Sequence, residues 1–243
     1  MTETAHEDGD HYDVTGEGPV LLVLPGGAGH PMGWGPLVER LATRFTVVTY
    51  DPLGLAHGRL GLPVPEQRVA DWSEGAHRVL SAVLPEGESA RVFGTSSGGI
   101  AVLDLLARHP ERLAHVVAHE PPCVTVLPDG AERRAELLGQ LDGPSRPPAE
   151  GGSATAMGVF LARVLRPFTA HTPLAVGDPT RLTLAAGADS RGQLLHRTAE
   201  FLSGRLGGAF AEFPGGHLGT LDHPVEFADL LTETLRSGAR TSS

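Results

Sequence analysis

The 243-residue chain contains no lysine; its 19 basic residues are all arginine. Without lysine there is no P-loop, whose lysine must reach the phosphates, and no side chain for a Schiff base. Cysteine is nearly absent as well. The single Cys123 excludes a disulfide framework and any cysteine-rich zinc site. Positive charge is scarce against 29 acidic residues, and a formal net charge of -10 argues against a nucleic-acid-binding face. Long apolar runs are missing too. Stretches such as Val20–Leu24 fall far short of the roughly 20 residues that span a bilayer. Residues 1–10 are acidic and polar and lack the basic-then-apolar pattern of a signal peptide. The expectation is therefore a cytoplasmic protein with no membrane or nucleic-acid partner.

Hydrophobic residues make up 40% of the chain and charged residues 20%, enough apolar content for a real core in one domain. Glycine (32) and proline (20) are plentiful, so turns are many. The order of patterns is informative. The run Val20–Leu24 reads as a buried strand ended by Pro25-Gly26-Gly27. Residues 34–42 have helical spacing, 45–50 form a β-branched strand, and 66–84 form a helix with Val69, Trp72, Ala76, Val79, Leu80 and Val83 on one stripe. Further strands are predicted at 91–93, Leu113–His119, 182–186 and Ala209–Phe213. Helices are predicted from 97 to 107, at Leu194–Leu206 and at 225–235. Residues 11–15 read as an antiparallel edge strand. Apolar strands alternating with helices predict an α/β fold, a mostly parallel sheet with helices on both faces. The alternation breaks at 121–180, where helices at 129–141 and 154–165 flank a Pro/Gly-rich run, 142–152. This segment reads as a small helical cap inserted into a core formed by 1–120 and 181–243.

Three motifs carry chemistry. The first is Gly94-x-Ser96-x-Gly98, between an apolar strand and a helix. A nucleophile thrust out of a strained turn needs small neighbours two residues away on either side, and the helix N-terminus behind it favours developing negative charge. The second is Pro25-Gly26-Gly27-Ala28-Gly29, which can present the Gly27 N–H, together with that of Ser97, to an oxyanion. It is not a dinucleotide loop, because Met32 stands where the third glycine would be. The third is Pro214-Gly-Gly-His217, a histidine in a glycine-rich loop just after a strand, placed to act as general base. His30, His57 and His223 read as loop residues facing solvent or bonding locally. Met32 and Trp34 follow the glycine loop and are candidates to line a pocket, with core packing the alternative.

Over residues 13–235 the chain resembles the α/β-hydrolase fold family. The resemblance rests on the Pro-Gly-Gly loop, Val48-Thr-Tyr-Asp-Pro52 with Gly54, the serine elbow, Arg108-His-Pro-Glu-Arg112 and Pro214-Gly-Gly-His217. It implies catalytic Ser96 and His217, in the chain order serine, acid, histidine. The acid it implies is Asp189, after the strand at 182–186; Glu120, ending the preceding strand, is the alternative. Two departures stand out. Pro25-Gly26 replaces the family's frequent His-Gly, and residues 53–59 lose the first arginine of an Arg-Gly-x-Gly pattern.

A serine nucleophile implies hydrolysis of a small, fairly apolar ester, thioester or lactone through an acyl-enzyme. Phe160 and Phe168, with Val159, Leu161 and Val164, are the expected apolar roof over the substrate. The partner expected is a small molecule, with no cofactor and no metal, the chain being a monomer or homodimer. The competing readings are a non-hydrolytic enzyme on the same scaffold (lyase, cyclase or cofactor-free peroxidase-like) and a ligand-binding protein with a residual triad.

Overall fold

The computed structural model describes residues 3–7, 10–27, 33–141 and 155–237. Met32, His30 and the Pro/Gly-rich run 142–152 lie outside the described residues. In chain order the elements are β1 (Glu3–Glu7), β2 (Asp10–Thr15), β3 (Val20–Leu24), α1 (Gly35–Ala42), β4 (Thr46–Asp51), α2 (Val69–Val83), β5 (Ala90–Thr95), α3 (Ser97–Arg108) and β6 (Leu113–His119). Then come α4 (Gly130–Leu141), α5 (Ala156–Arg163), α6 (Leu165–Thr169), β7 (Leu182–Gly187), α7 (Leu194–Leu206), β8 (Ala209–Phe213), α8 (Gly219–Asp222) and α9 (Pro224–Ser237).

The strands form one sheet in the order β1-β2-β4-β3-β5-β6-β7-β8. From β4 through β8 every pairing is parallel, while β1 and β2 pair antiparallel at one edge. The strand predicted at 11–15 is β2 and pairs antiparallel, but it is not the edge, because β1 lies outside it. The strand before it has no apolar signature, because an antiparallel edge hairpin is held by backbone pairing and needs no continuous apolar run.

Side chains alternate between the two faces, as the period of 2 requires. Leu22, Leu24, Val92, Val116 and Leu184 join the core under α2, α3 and α7. Leu21, Val23, Phe93, Val117 and Ala185 join the core under α1 and α9, with Trp34 and Phe227. Each of these Val, Leu and Phe side chains contributes roughly 1.5–3 kcal/mol by leaving water. With both faces covered, these strands have to be apolar throughout, which is why they read as unbroken runs.

The segment between β6 and β7 is tied to the core. Val159, Val164 and Phe168 belong to the α2–α3 core, and the Phe168 ring meets Trp72 edge-on at 4.8 Å. The Gln67 N–H donates to the Arg163 carbonyl at 2.9 Å. Phe168→Ala is expected to cost about 3–5 kcal/mol, read as a lower urea midpoint. A cost under about 1 kcal/mol would mean that the ring is not a docking anchor.

The chain leaves β3 for β4 on one side and later returns to place β5 on the other. In open parallel sheets, the carboxyl ends of strands at such a switch point border a crevice. Here those ends are Pro25-Gly26-Gly27 and Thr95-Ser96.

Candidate active site

Ser96 sits between β5 and α3 with φ 52° and ψ -123°. Among the described residues, Ser96 and Glu120 (φ 42°) are the only non-glycine residues with positive φ. Such a backbone costs of order 1–3 kcal/mol and persists only where its surroundings enforce it. The expected crowding is there. A Cβ on Gly94 would lie 2.5 Å from the Gly98 carbonyl oxygen, and one on Gly98 would lie 2.7 Å from that of Pro25. The loop after β3 presses on the elbow from the other side, since a Cβ on Gly26 would lie 2.5 Å from Ser96 Cβ. Ser97 opens α3, so its N–H has no acceptor within the helix. The Gly27 N–H donates to Ser97 Oγ at 3.1 Å.

His217 lies in the loop after β8. Its Nδ1 is 2.8 Å from Glu120 Oε2. An ionised carboxylate only accepts, so Nδ1 carries the proton and the Nε2 lone pair is left to act as a base. Glu120 is completely buried at the end of β6. Its Oε1 accepts from the Gly187 N–H at 3.0 Å and from the Ser190 hydroxyl, so both oxygens are engaged. Burial alone would raise its pKa. The hydrogen bonds from His217 and Ser190, the neighbouring His119 and the Gly187 N–H outweigh it and hold Glu120 down at about 2. Among the described residues His217 makes no hydrogen bond to Ser96 Oγ; in catalytic pairs that contact is often long before substrate arrives.

His119 lies beneath this pair. Its ring is within 21° of parallel to that of His217, with centroids 6.5 Å apart, and its Nδ1 pairs with the Thr95 hydroxyl at 3.1 Å. Complete burial pushes it down to about 4, so it is neutral at pH 7. It adds polar packing under the site without adding charge.

Several expectations need correction. Asp189 does not face His217. It is exposed on a 3-10 turn, Ala188–Ser190, with its N–H donated to the Gly215 carbonyl at 2.9 Å. At three residues per turn, successive side chains point about 120° apart, so with Ser190 turned inward Asp189 turns outward. Of the two readings of Trp34, the structure takes core packing: it is 4% exposed and lies near Phe93 in the α1–α9 core. Phe168 is 1% exposed and serves as a packing anchor. Phe160 is half-buried against the other core. His57, read as solvent-facing or bonding locally, takes the second course: it lies between Asp51 (2.9 Å) and Asp13 (3.3 Å). Ser190 was legible only as a turn residue, since nothing in its sequence neighbourhood marks it as the support of a carboxylate on another strand.

Among the described residues no helix is long and apolar enough to cross a membrane. Residues 19–174 match the alpha/beta hydrolase fold family. The uncharacterized hydrolase YraK of Bacillus subtilis (strain 168) is 30% identical over 250 residues, covering 93% of this chain and 92% of that protein. A thermophilic esterase from Thermogutta terrifontis superposes with a TM-score of 0.68 at 16% identity, covering 98% of this chain and 99% of the other. The enol-lactonase from Burkholderia xenovorans LB400 does so with a TM-score of 0.63 at 17% identity, covering 97% and 99%. The strained serine at a strand-to-helix turn, the glycine loop pressed against it and the carboxylate-bound histidine thus sit in a chain that belongs to the alpha/beta hydrolase fold family.

Proposed function

We propose that the chain is a serine hydrolase that cleaves a small, fairly apolar ester, thioester or lactone through an acyl-enzyme. Ser96 is the nucleophile, His217 the base and Glu120 the acid. The observation that carries this reading is the 2.8 Å contact of His217 Nδ1 with the buried carboxylate of Glu120, beside an elbow that holds Ser96 in a strained turn. Glu120 keeps the imidazole in the tautomer whose Nε2 takes the Ser96 proton, and it stabilises the imidazolium that results. Ser96 Oγ then adds to the carbonyl carbon. The N–H groups of Gly27 and Ser97 stabilise the tetrahedral oxygen. The imidazolium returns its proton to the leaving group, and water, deprotonated by the same Nε2, releases the acid from Ser96.

The segment between β6 and β7 acts as a cap, with the half-buried Phe160 forming part of an apolar roof over the acyl group. The named activities of the esterase and the enol-lactonase suit this substrate class. Glu120, held at about 2, stays ionised through mildly acidic pH and keeps its hold on Nδ1 there.

The test is a fluorophosphonate probe followed by peptide mapping, with p-nitrophenyl acetate as the kinetic substrate. Labelling confined to Ser96 and a burst of p-nitrophenol equal to the labelled fraction are expected. A folded protein that takes up no probe overturns the reading.

A further inference from the structure

The proposed oxyanion pocket contains a group that a two-donor description leaves idle. Ser97 follows the nucleophile and is 1% exposed. Its Oγ accepts the Gly27 N–H at 3.1 Å, and that N–H is one of the two assigned to the oxyanion. The hydroxyl is therefore in contact with one donor of the pocket and belongs to the residue that supplies the other. The loop has little room to move away from it. Gly26 lies against Ser96 Cβ and the Thr95 carbonyl oxygen, where a Cβ would come within 2.6 Å of both, and Gly27 is held at φ 55°.

We infer that the Ser97 hydroxyl is a third donor to the oxyanion, kept in place by the Gly27 N–H until charge develops. This rests on the serine-hydrolase reading above. A hydroxyl accepts and donates at once. While the carbonyl is neutral, Ser97 Oγ satisfies the half-buried Gly27 N–H, which keeps the glycine loop in place against the elbow. When the tetrahedral oxygen becomes negative, the Gly27 N–H, its loop held in place, shares its hydrogen with that oxygen. The Ser97 hydroxyl rotates about its Cβ–Oγ bond so that its hydrogen also points at the new charge. Hydrogen bonds to a charged acceptor are about twice as strong as neutral ones, so the exchange favours the transition state over the ground state. No atom or proton is transferred in this step; only the hydrogen-bond partners change.

The experiment uses the full chain with p-nitrophenyl acetate, and with a trifluoromethyl ketone carrying a 13C-labelled carbonyl. The ketone forms a hemiketal on Ser96 whose oxyanion titration is followed by NMR. Ser97→Ala is expected to fold, to label at Ser96, and to lose about 10²-fold in kcat with KM within about threefold. Its hemiketal oxyanion should take up a proton at higher pH than in the wild-type adduct. Ser97→Thr, which keeps the hydroxyl, is expected to recover at least tenfold of the loss. An Ala variant with kcat within twofold of wild type, an unmoved hemiketal titration, a loss carried by KM, or equal losses in the Ala and Thr variants overturns the inference. Absence of any Ser96 label in the wild-type chain is a different result and sinks the serine-hydrolase reading itself.

Discussion

Ser96→Gly is expected to fold more stably than the wild-type chain and to hydrolyse almost nothing. The two effects share one cause. At φ 52° and ψ -123° the Ser96 backbone occupies a region that suits glycine and strains any residue with a Cβ. Removing the side chain relieves about 1–3 kcal/mol of that strain. The greater freedom of glycine in the unfolded chain takes back roughly 0.5–1 kcal/mol. The net gain of about 1 kcal/mol is read as a higher urea midpoint at unchanged m-value. The same substitution deletes the proposed nucleophile, and kcat for p-nitrophenyl acetate is expected to fall by about 10⁶-fold, leaving the residual rate that an oxyanion pocket alone supplies. Ser96→Ala keeps the Cβ, so it should lose the same turnover without the gain in stability. A loss of only tenfold in either variant would place the covalent step on another residue or on water.

The second large effect separates two carboxylates that lie close to the same loop. Glu120→Gln is expected to lower kcat by about 10⁴-fold, while Asp189→Asn stays within about twofold. Gln fills the space of Glu and can still accept the Gly187 N–H and the Ser190 hydroxyl through its carbonyl oxygen. Its NH₂ group then faces His217 Nδ1, which must become an acceptor. The ring proton moves to Nε2, and the base that Ser96 needs is lost. Asp189 is exposed, and its exchange leaves this arrangement untouched. Equal, small losses in both variants would remove Glu120 from the mechanism.

Stability supplies an independent readout. The folded-state pKa of Glu120, about 2, lies below the ordinary 4.5. Its contribution, on the order of 3 kcal/mol, is therefore fully present above about pH 4.5 and is lost as pH falls through about 2. Urea unfolding of the wild-type chain and of Glu120→Gln should differ most at neutral pH and converge toward pH 2. A difference that grows in acid would contradict the sign of the shift.

How much of this was legible without coordinates depended on whether a feature is local. Strands β6 and β8 and helix α7 have the ends that residue patterns predict, because an apolar run between turn residues is fixed by neighbours along the chain. The serine elbow was legible for the same reason. Gly94 answers a local contact with the Gly98 carbonyl, whereas Gly98 is crowded by the Leu24 and Pro25 carbonyls of the loop after β3, a demand that only the folded chain shows. The fold class followed from a simple fact. A sheet covered on both faces leaves its strands no polar side, so they appear as solid apolar segments separated by helical stripes.

Features that depend on residues far apart in the chain were misread or invisible. Choosing between Glu120 and Asp189 required knowing which way the turn after β7 rotates, and a rotation of one residue exchanges Asp189 for Ser190 at the site. Trp34 suggests a pocket aromatic because it follows the glycine loop, and Phe168 because it lies in the segment read as a cap, yet each is sealed against partners dozens of residues distant, Phe93 and Trp72. The hold of Ser97 on Gly27 spans 70 positions. Periodicity and steric demand within a few residues are written directly into the order of amino acids. The direction of a side chain at the end of a strand depends on the packing of strands and loops that meet only after the chain has closed around them.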